Sequence, residues 1–103
     1  QVIASISDKA ILVDCVTLWL SNLLLGDHDI DTHVTELIKT CTASARPLTL
    51  VSNEVGYGIV PDTPLGRKFR TIQGQTNQRL AAICDNVTLV AAGLPMTLKG
   101  NAL

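Results

Sequence analysis

Aromatic side chains are nearly missing from this sequence. One Phe, one Trp and one Tyr occur in 103 residues, although 47% of the residues are hydrophobic. The core must therefore be aliphatic, built from Leu, Ile, Val and Ala, which suits strands buried on both faces between helices. Cationic charge is scarce as well. Eight Lys and Arg against nine Asp and Glu leave a net charge of -1, so there is no electrostatic footprint for nucleic acid or for an anionic membrane surface. No apolar run approaches the roughly 18 residues that mark a spanning helix, and no signal peptide is visible, which reads as a soluble, cytoplasmic protein with neither a nucleic-acid nor a membrane partner. Cys15, Cys41 and Cys84 are odd in number and widely spaced. They make neither a disulfide framework nor a zinc pattern, and read as small buried hydrophobes unless the fold brings two of them together. The most restrictive absence is a G-x-x-x-x-G-K-[ST] loop, because phosphoryl transfer on a nucleotide-binding α/β scaffold needs backbone amides of that kind to cradle the phosphates.

What is present alternates between two periods. Ala10 to Val13 is a short apolar strand ending at Asp14, and Cys15 to Leu25 is too long and too Leu-rich for another strand, so it reads as a buried helix. A second helix, capped by Asp31 or Thr32, carries Val34, Leu37, Ile38 and Cys41 on one face and stops near Arg46-Pro47. Leu48 to Ser52 is the second strand. From about Thr63 to Asp85 the sequence predicts its best helix, with Leu65, Phe69, Ile72, Thr76, Leu80 and Ile83 on the core side and Arg67, Arg70, Gly74, Asn77 and Ala81 opposite. Val87 to Ala91 is a third strand, and Gly93-Leu94-Pro95 turns the chain into an apolar tail, Met96 to Leu98, that could add an edge strand. Strands alternating with helices predict an α/β fold, a mainly parallel sheet between helical layers joined by right-handed crossovers, in a single domain spanning residues 1–103.

The chemistry concentrates at strand ends. Leu50-Val51-Ser52-Asn53-Glu54 breaks from an apolar run into a polar pair, then passes Gly56 and Gly58 to Pro61. Ligands of open α/β sheets sit beyond the carboxyl ends of parallel strands, so Asn53 and Glu54 are candidate site residues, although a turn capped by these side chains would give the same pattern. Asp14 closes the aliphatic run Ile11-Leu12-Val13. A strand-end carboxylate suits Mg²⁺ beside a nucleotide, and equally suits the N-cap of the following helix. Arg67 and Arg70 aligned with Gly74 and Asn77 form either a ligand face or a subunit face, since arginine forks recognise phosphate and carboxylate and Gly74 admits a close neighbour. His28 and His33 have no metal spacing and read as surface histidines.

Taken together, Ser52-Asn53-Glu54-Val55-Gly56-x-Gly58-Ile59-Val60-Pro61, then Arg67-x-Phe69-Arg70, Gly74 and Asn77-Gln78-Arg79-Leu80-Ala81, closely resemble the bifunctional adenosylcobinamide kinase / adenosylcobinamide-phosphate guanylyltransferase family of cobalamin biosynthesis. Ile11-Leu12-Val13-Asp14-Cys15-Val16-Thr17-Leu18-Trp19 with Asn22-Leu23, and Val90-Ala91-Ala92-Gly93-Leu94-Pro95, extend the resemblance across nearly the whole chain. It implies a P-loop-like three-layer α/β/α fold and a homotrimer. It also implies use of ATP or GTP with Mg²⁺ to phosphorylate adenosylcobinamide, and transfer of GMP from GTP through a guanylated histidine. Asp14 would serve Mg²⁺ or nucleotide, Asn53 and Glu54 the floor of the site, and Arg67, Arg70 and Asn77 a ligand or a neighbouring subunit. The family's phosphate loop and guanylated histidine have no counterpart here, His28 and His33 do not match that histidine's motif, and Thr71 stands where an acidic residue is common. The resemblance thus implies the carboxyl-terminal portion of such an enzyme, with no catalytic residue of its own and inactive alone. The alternative is a non-catalytic, oligomerising remnant that serves as an assembly module.

Overall fold

A computed structural model describes residues 10–44, 47–54 and 63–101. The element order is β1 (Ile11–Asp14), α1 (Val16–Leu25), α2 (Ile30–Ala43), β2 (Leu48–Val51), α3 (Pro64–Ile83), β3 (Val87–Ala91) and β4 (Leu94–Lys99). The α/β class expected from the alternating pattern is the one found. β1 and β2 pair in parallel, with Ile11 opposite Leu48 and Asp14 opposite Val51.

The third strand departs from the expectation. β3 does not join β1 and β2 but pairs with β4 as an antiparallel hairpin in a separate two-stranded sheet. The turn explains it. Ala92 and Gly93 both have positive φ, 54° and 75°, the backbone of the two-residue turns whose twist matches antiparallel strands. Once the chain reverses at Gly93, the Met96–Leu98 tail is the nearest partner for β3. The hairpin base is tied to α3 because Lys99 Nζ donates to the Ala81 and Ala82 carbonyls at 3.0 and 3.2 Å, satisfying acceptors that the helix end leaves open. Asn101 N donates to Asn86 Oδ1 at 2.8 Å across the same base.

Gly100 occupies a backbone position open to little else. Its φ is +74°, and a Cβ there would strike the Asp85 carbonyl oxygen and the Asn86 side chain. Gly100→Ala is therefore expected to destabilise the chain by about 1–3 kcal/mol. Urea denaturation checks this, and an unchanged midpoint would contradict the closure of the hairpin base.

The core is aliphatic, as composition requires. Val16 and Leu20 of α1, Val34 and Leu37 of α2 and Leu80 of α3 form its buried centre, flanked by Val13, Trp19, Ile38, Leu50, Phe69, Ile72 and Ile83. Helix starts follow local chemistry. Asp29, rather than Asp31 or Thr32, caps α2, accepting from Thr32 N at 3.3 Å and from Thr32 Oγ1 at 2.8 Å. These bonds hold the Asp29 carboxyl below its usual range. The cap is thus present at neutral pH and is lost as the pH falls through the depressed Asp29 value. Thr63 caps α3 through Gly66 N at 3.0 Å with Pro64 in the first turn, where its missing donor does no harm. Leu65, expected in the core, is 52% exposed, while Gln73 on the same helix is fully buried. The packed side of α3 thus begins at Phe69 and includes an amide.

Among the described residues, no helix is long and apolar enough to cross a membrane. Gly56, Gly58 and Pro61 lie outside the described residues.

Candidate functional site

The parallel register places the sequence-predicted residues. Asp14 is the last residue of β1 and faces Val51, the last of β2, so Ser52, Asn53 and Glu54 continue from the same rim at which Asp14 sits. Asp14 is exposed and does not cap α1, whose N-cap position is Cys15. The capping alternative for this carboxylate is therefore removed.

A polar network fixes the end of β2. Asn53 N donates to Thr17 Oγ1 at 2.8 Å, linking β2 to the first turn of α1. On the other side, Asn77 Nδ2 donates to the Asn53 carbonyl at 3.2 Å. Ser52 Oγ donates to Asn77 Oδ1 at 2.7 Å, and Gln73 Nε2 donates to Ser52 Oγ at 2.8 Å and to Asn77 Oδ1 at 3.0 Å. The amide orientations follow from one fact, that a backbone carbonyl only accepts. Asn77 turns Nδ2 to Asn53, which leaves Oδ1 toward Ser52 and Gln73 and obliges Gln73 to present Nε2. The consequence is a fully buried Gln73 Oε1 with no hydrogen-bond partner among the described residues.

The second predicted face divides. Arg67 and Arg70, with Thr71, Gly74, Gln75 and Gln78, line a shallow open depression of about 430 Å³. Nothing lies within 4 Å of a Cβ built on Gly74, so the depression is open there. Asn77 is not part of that lining and instead turns to the rim. The signal that could have revealed this was present, because Gln73 and Asn77 are one helical turn apart, between the core stripe and the arginines.

The cysteines are all free. Burial raises the Cys41 and Cys84 thiols. Cys15 differs. It makes no regular cap hydrogen bond, yet the Leu18 N–H, and after it the Thr17 hydroxyl, favour its thiolate and lower its pKa. Cys15 is expected to be alkylated by iodoacetamide at least several-fold faster than Cys41 and Cys84 at neutral pH, since more of it is thiolate there. Peptide mass spectrometry over a pH series checks the order, and equal rates would contradict it.

Among the described residues, no group of three or more His, Cys, Asp or Glu could hold a metal ion by itself. Asp14 and Glu54 belong to the same rim, and Mg²⁺ commonly takes one or two carboxylates and completes its shell with water and phosphate. His28 and His33 meet edge to face at 5.5 Å, His28 exposed and His33 half-buried.

The carboxyl ends of this parallel strand pair gather Asp14, the Asn53-Glu54 pair and the start of α1, and the carboxyl ends of the strands are where open-sheet α/β proteins bind their ligands. Residues 1–98 match the model of the cobinamide kinase / cobinamide phosphate guanyltransferase family, and the chain belongs to that family. It is 41% identical over 107 residues to the bifunctional adenosylcobalamin biosynthesis protein CobU of Salmonella typhimurium, covering 89% of this chain and 59% of that relative. It is 42% identical over 97 residues to the bifunctional adenosylcobalamin biosynthesis protein CobP of Pseudomonas aeruginosa, covering 92% and 56% respectively. The Escherichia coli CobU protein is 37% identical over 107 residues, with 89% of this chain and 59% of the relative covered. The chain thus spans less than three fifths of the length of these relatives.

Proposed function

We propose that this chain supplies the acidic strand-end half of a nucleotide site in a cytoplasmic enzyme of cobalamin biosynthesis. That enzyme phosphorylates adenosylcobinamide with ATP or GTP and transfers GMP from GTP to the product. The observation that carries the reading is the register of β1 on β2, which sets Asp14 opposite Val51 and brings it to the rim that Asn53 and Glu54 continue. In this reading Asp14 holds Mg²⁺, whose charge is offset against the nucleotide phosphates, and Asn53 and Glu54 form the floor beside it. Arg67 and Arg70 offer bidentate donors to an anionic group or to a neighbouring subunit of a homotrimer.

The sequence contains no Gly-rich phosphate loop, so the 103-residue chain alone is predicted to turn over no adenosylcobinamide. A protein that joins it to such a loop is predicted to do so with Mg²⁺ and nucleotide. Product formation followed by mass spectrometry separates the two samples. Turnover by the chain alone, or none by the joined protein, would overturn the proposal.

A second reading, a non-catalytic assembly module, is favoured by one feature. Leu94, Met96 and Leu98 alternate along β4 and are 70, 54 and 59% exposed, leaving an apolar strip on the hairpin. The mass of the species in solution decides it, because a strict monomer excludes an assembly role.

A further inference from the structure

The network at the end of β2 assigns a role to a residue that the sequence grouped with the arginines. We infer that Asn77 is a positioning residue: it acts through the Asn53 carbonyl to fix the strand end bearing Asn53 and Glu54, and Gln73 and Ser52 hold its amide in the orientation that the carbonyl requires. The inference rests on the nucleotide-site reading above and deepens it.

Three observations carry it. First, the peptide before Asn53 and the one after it are held from opposite sides, the Asn53 N–H by Thr17 Oγ1 at 2.8 Å and its carbonyl by Asn77 Nδ2 at 3.2 Å. A strand end held through both backbone groups of one residue cannot rotate about that residue without breaking a bond, whereas an exposed strand end held by neither moves freely. Second, with Nδ2 directed at the Asn53 carbonyl, Asn77 Oδ1 accepts from Ser52 Oγ at 2.7 Å and from Gln73 Nε2 at 3.0 Å, so the orientation the carbonyl requires is held by two further bonds. Third, Gln73 is fully buried and its Oε1 has no partner among the described residues. A residue kept for packing alone would be better served by Leu or Met, which leave no orphaned acceptor. What the buried amide adds beyond packing is its donor, which touches Ser52 and Asn77.

The role needs no direct contact between Asn77 and ligand: Oδ1 accepts from Ser52 and Gln73, and Nδ2 donates to the Asn53 carbonyl. Its effect on nucleotide comes through the placement of Asn53 and Glu54 beside Asp14. Loss of the Asn77 donor should weaken binding of the magnesium–nucleotide complex while leaving the rest of α3 intact.

The test uses the whole protein carrying this chain and the variants Asn77→Ala, Asn77→Asp and Gln73→Met, with Ser52→Thr as the conservative control. Asn77→Asp keeps the acceptor for Ser52 and Gln73 but loses the donor to Asn53, and Ser52→Thr keeps the hydroxyl. Amide exchange by NMR should rise at least about tenfold at Asn53 in both Asn77 variants, with the Leu80 amide unchanged. Gln73→Met should raise Asn53 exchange with no fall in melting temperature, a separation that a purely structural role would not produce. In the kinase assay the KM for magnesium–GTP should rise about tenfold in the Asn77 variants with kcat changed less, while Ser52→Thr stays near wild type. A loss of folded protein would lower apparent kcat and leave KM where it was.

Unchanged Asn53 exchange in Asn77→Ala and Asn77→Asp overturns the inference. Faster exchange with an unaltered KM overturns the role in nucleotide binding and leaves the proposed function standing. A wild-type protein without nucleotide turnover overturns the proposed function, and the exchange data then decide separately whether Asn77 clamps the strand end.

Discussion

Asp14→Asn in an active protein carrying this chain is expected to lower magnesium-dependent turnover on the order of 10²-fold. It should also raise the Mg²⁺ concentration needed for half-maximal rate. Asn preserves the shape of the side chain and removes its charge, so the substitution isolates what the carboxylate contributes to holding a cation at the rim. Asp14 is exposed, ends β1 and caps no helix. Its removal should therefore change unfolding stability by no more than about 0.5 kcal/mol, as for surface positions outside caps and core. Steady-state kinetics over a Mg²⁺ series, with a urea melt on the same sample, reads both effects. Unaltered Mg²⁺ dependence would detach Asp14 from the metal, and a large drop in stability would assign it a structural role instead.

Leu20→Ala is expected to have the largest effect on the fold. Leu20 is fully buried at the centre of the cluster that joins α1, α2 and α3. Truncation removes its transfer free energy and leaves a cavity, together about 2–5 kcal/mol. Total stabilities of small domains are only about 5–15 kcal/mol, so the variant should be largely unfolded or melt many degrees lower. With almost no aromatic side chains to close the gap, neighbouring aliphatic groups offer little volume for collapse. Urea denaturation followed by circular dichroism measures the change. A loss below about 1 kcal/mol would mean that α1 does not pack at the centre of the molecule.

Much of this architecture is legible in the sequence because two physical signals agree there. Apolar runs of four or five residues beside helical periodicity locate β1, β2, β3 and the long α3, and Pro64 with Thr63 sets where α3 begins. The family resemblance, carried by motifs along the chain, matches the family shown for residues 1–98. What periodicity cannot convey is strand pairing. β3 reads as an aliphatic strand whether it lies beside β1 or folds back on β4, and the positive φ angles at Ala92 and Gly93 that decide the matter are a backbone property, only half signalled by one glycine.

The site shows the same division. Asp14, Asn53 and Glu54 are recognisable as strand-end polar residues, and their meeting at one rim follows from the parallel register. Asn77 is grouped with Arg67 and Arg70 when the helix is read as two faces. The helix in fact has a third strip, along which Gln73 and Asn77 reach the strand end while the arginines line an open depression. A buried Gln is invisible to hydrophobic patterning, since its burial depends on partners contributed from a sequence distance of more than twenty residues. Thr71 illustrates the converse. Its hydroxyl donates to the Arg67 carbonyl one turn back at 3.1 Å, a local bond that any exposed helical Thr can make.

The account stands on Asp14 and the Asn53-Glu54 pair forming one corner for a metal–nucleotide complex. Replacement of Mg²⁺ by paramagnetic Mn²⁺ in the presence of GTP, read as broadening of backbone amide signals, tests that corner directly. Selective broadening at Asp14, Cys15, Asn53 and Glu54, with the β3–β4 hairpin left sharp, is the predicted result. Broadening centred on the acidic loop around Asp27, Asp29 and Asp31, or none at the strand ends, would contradict it.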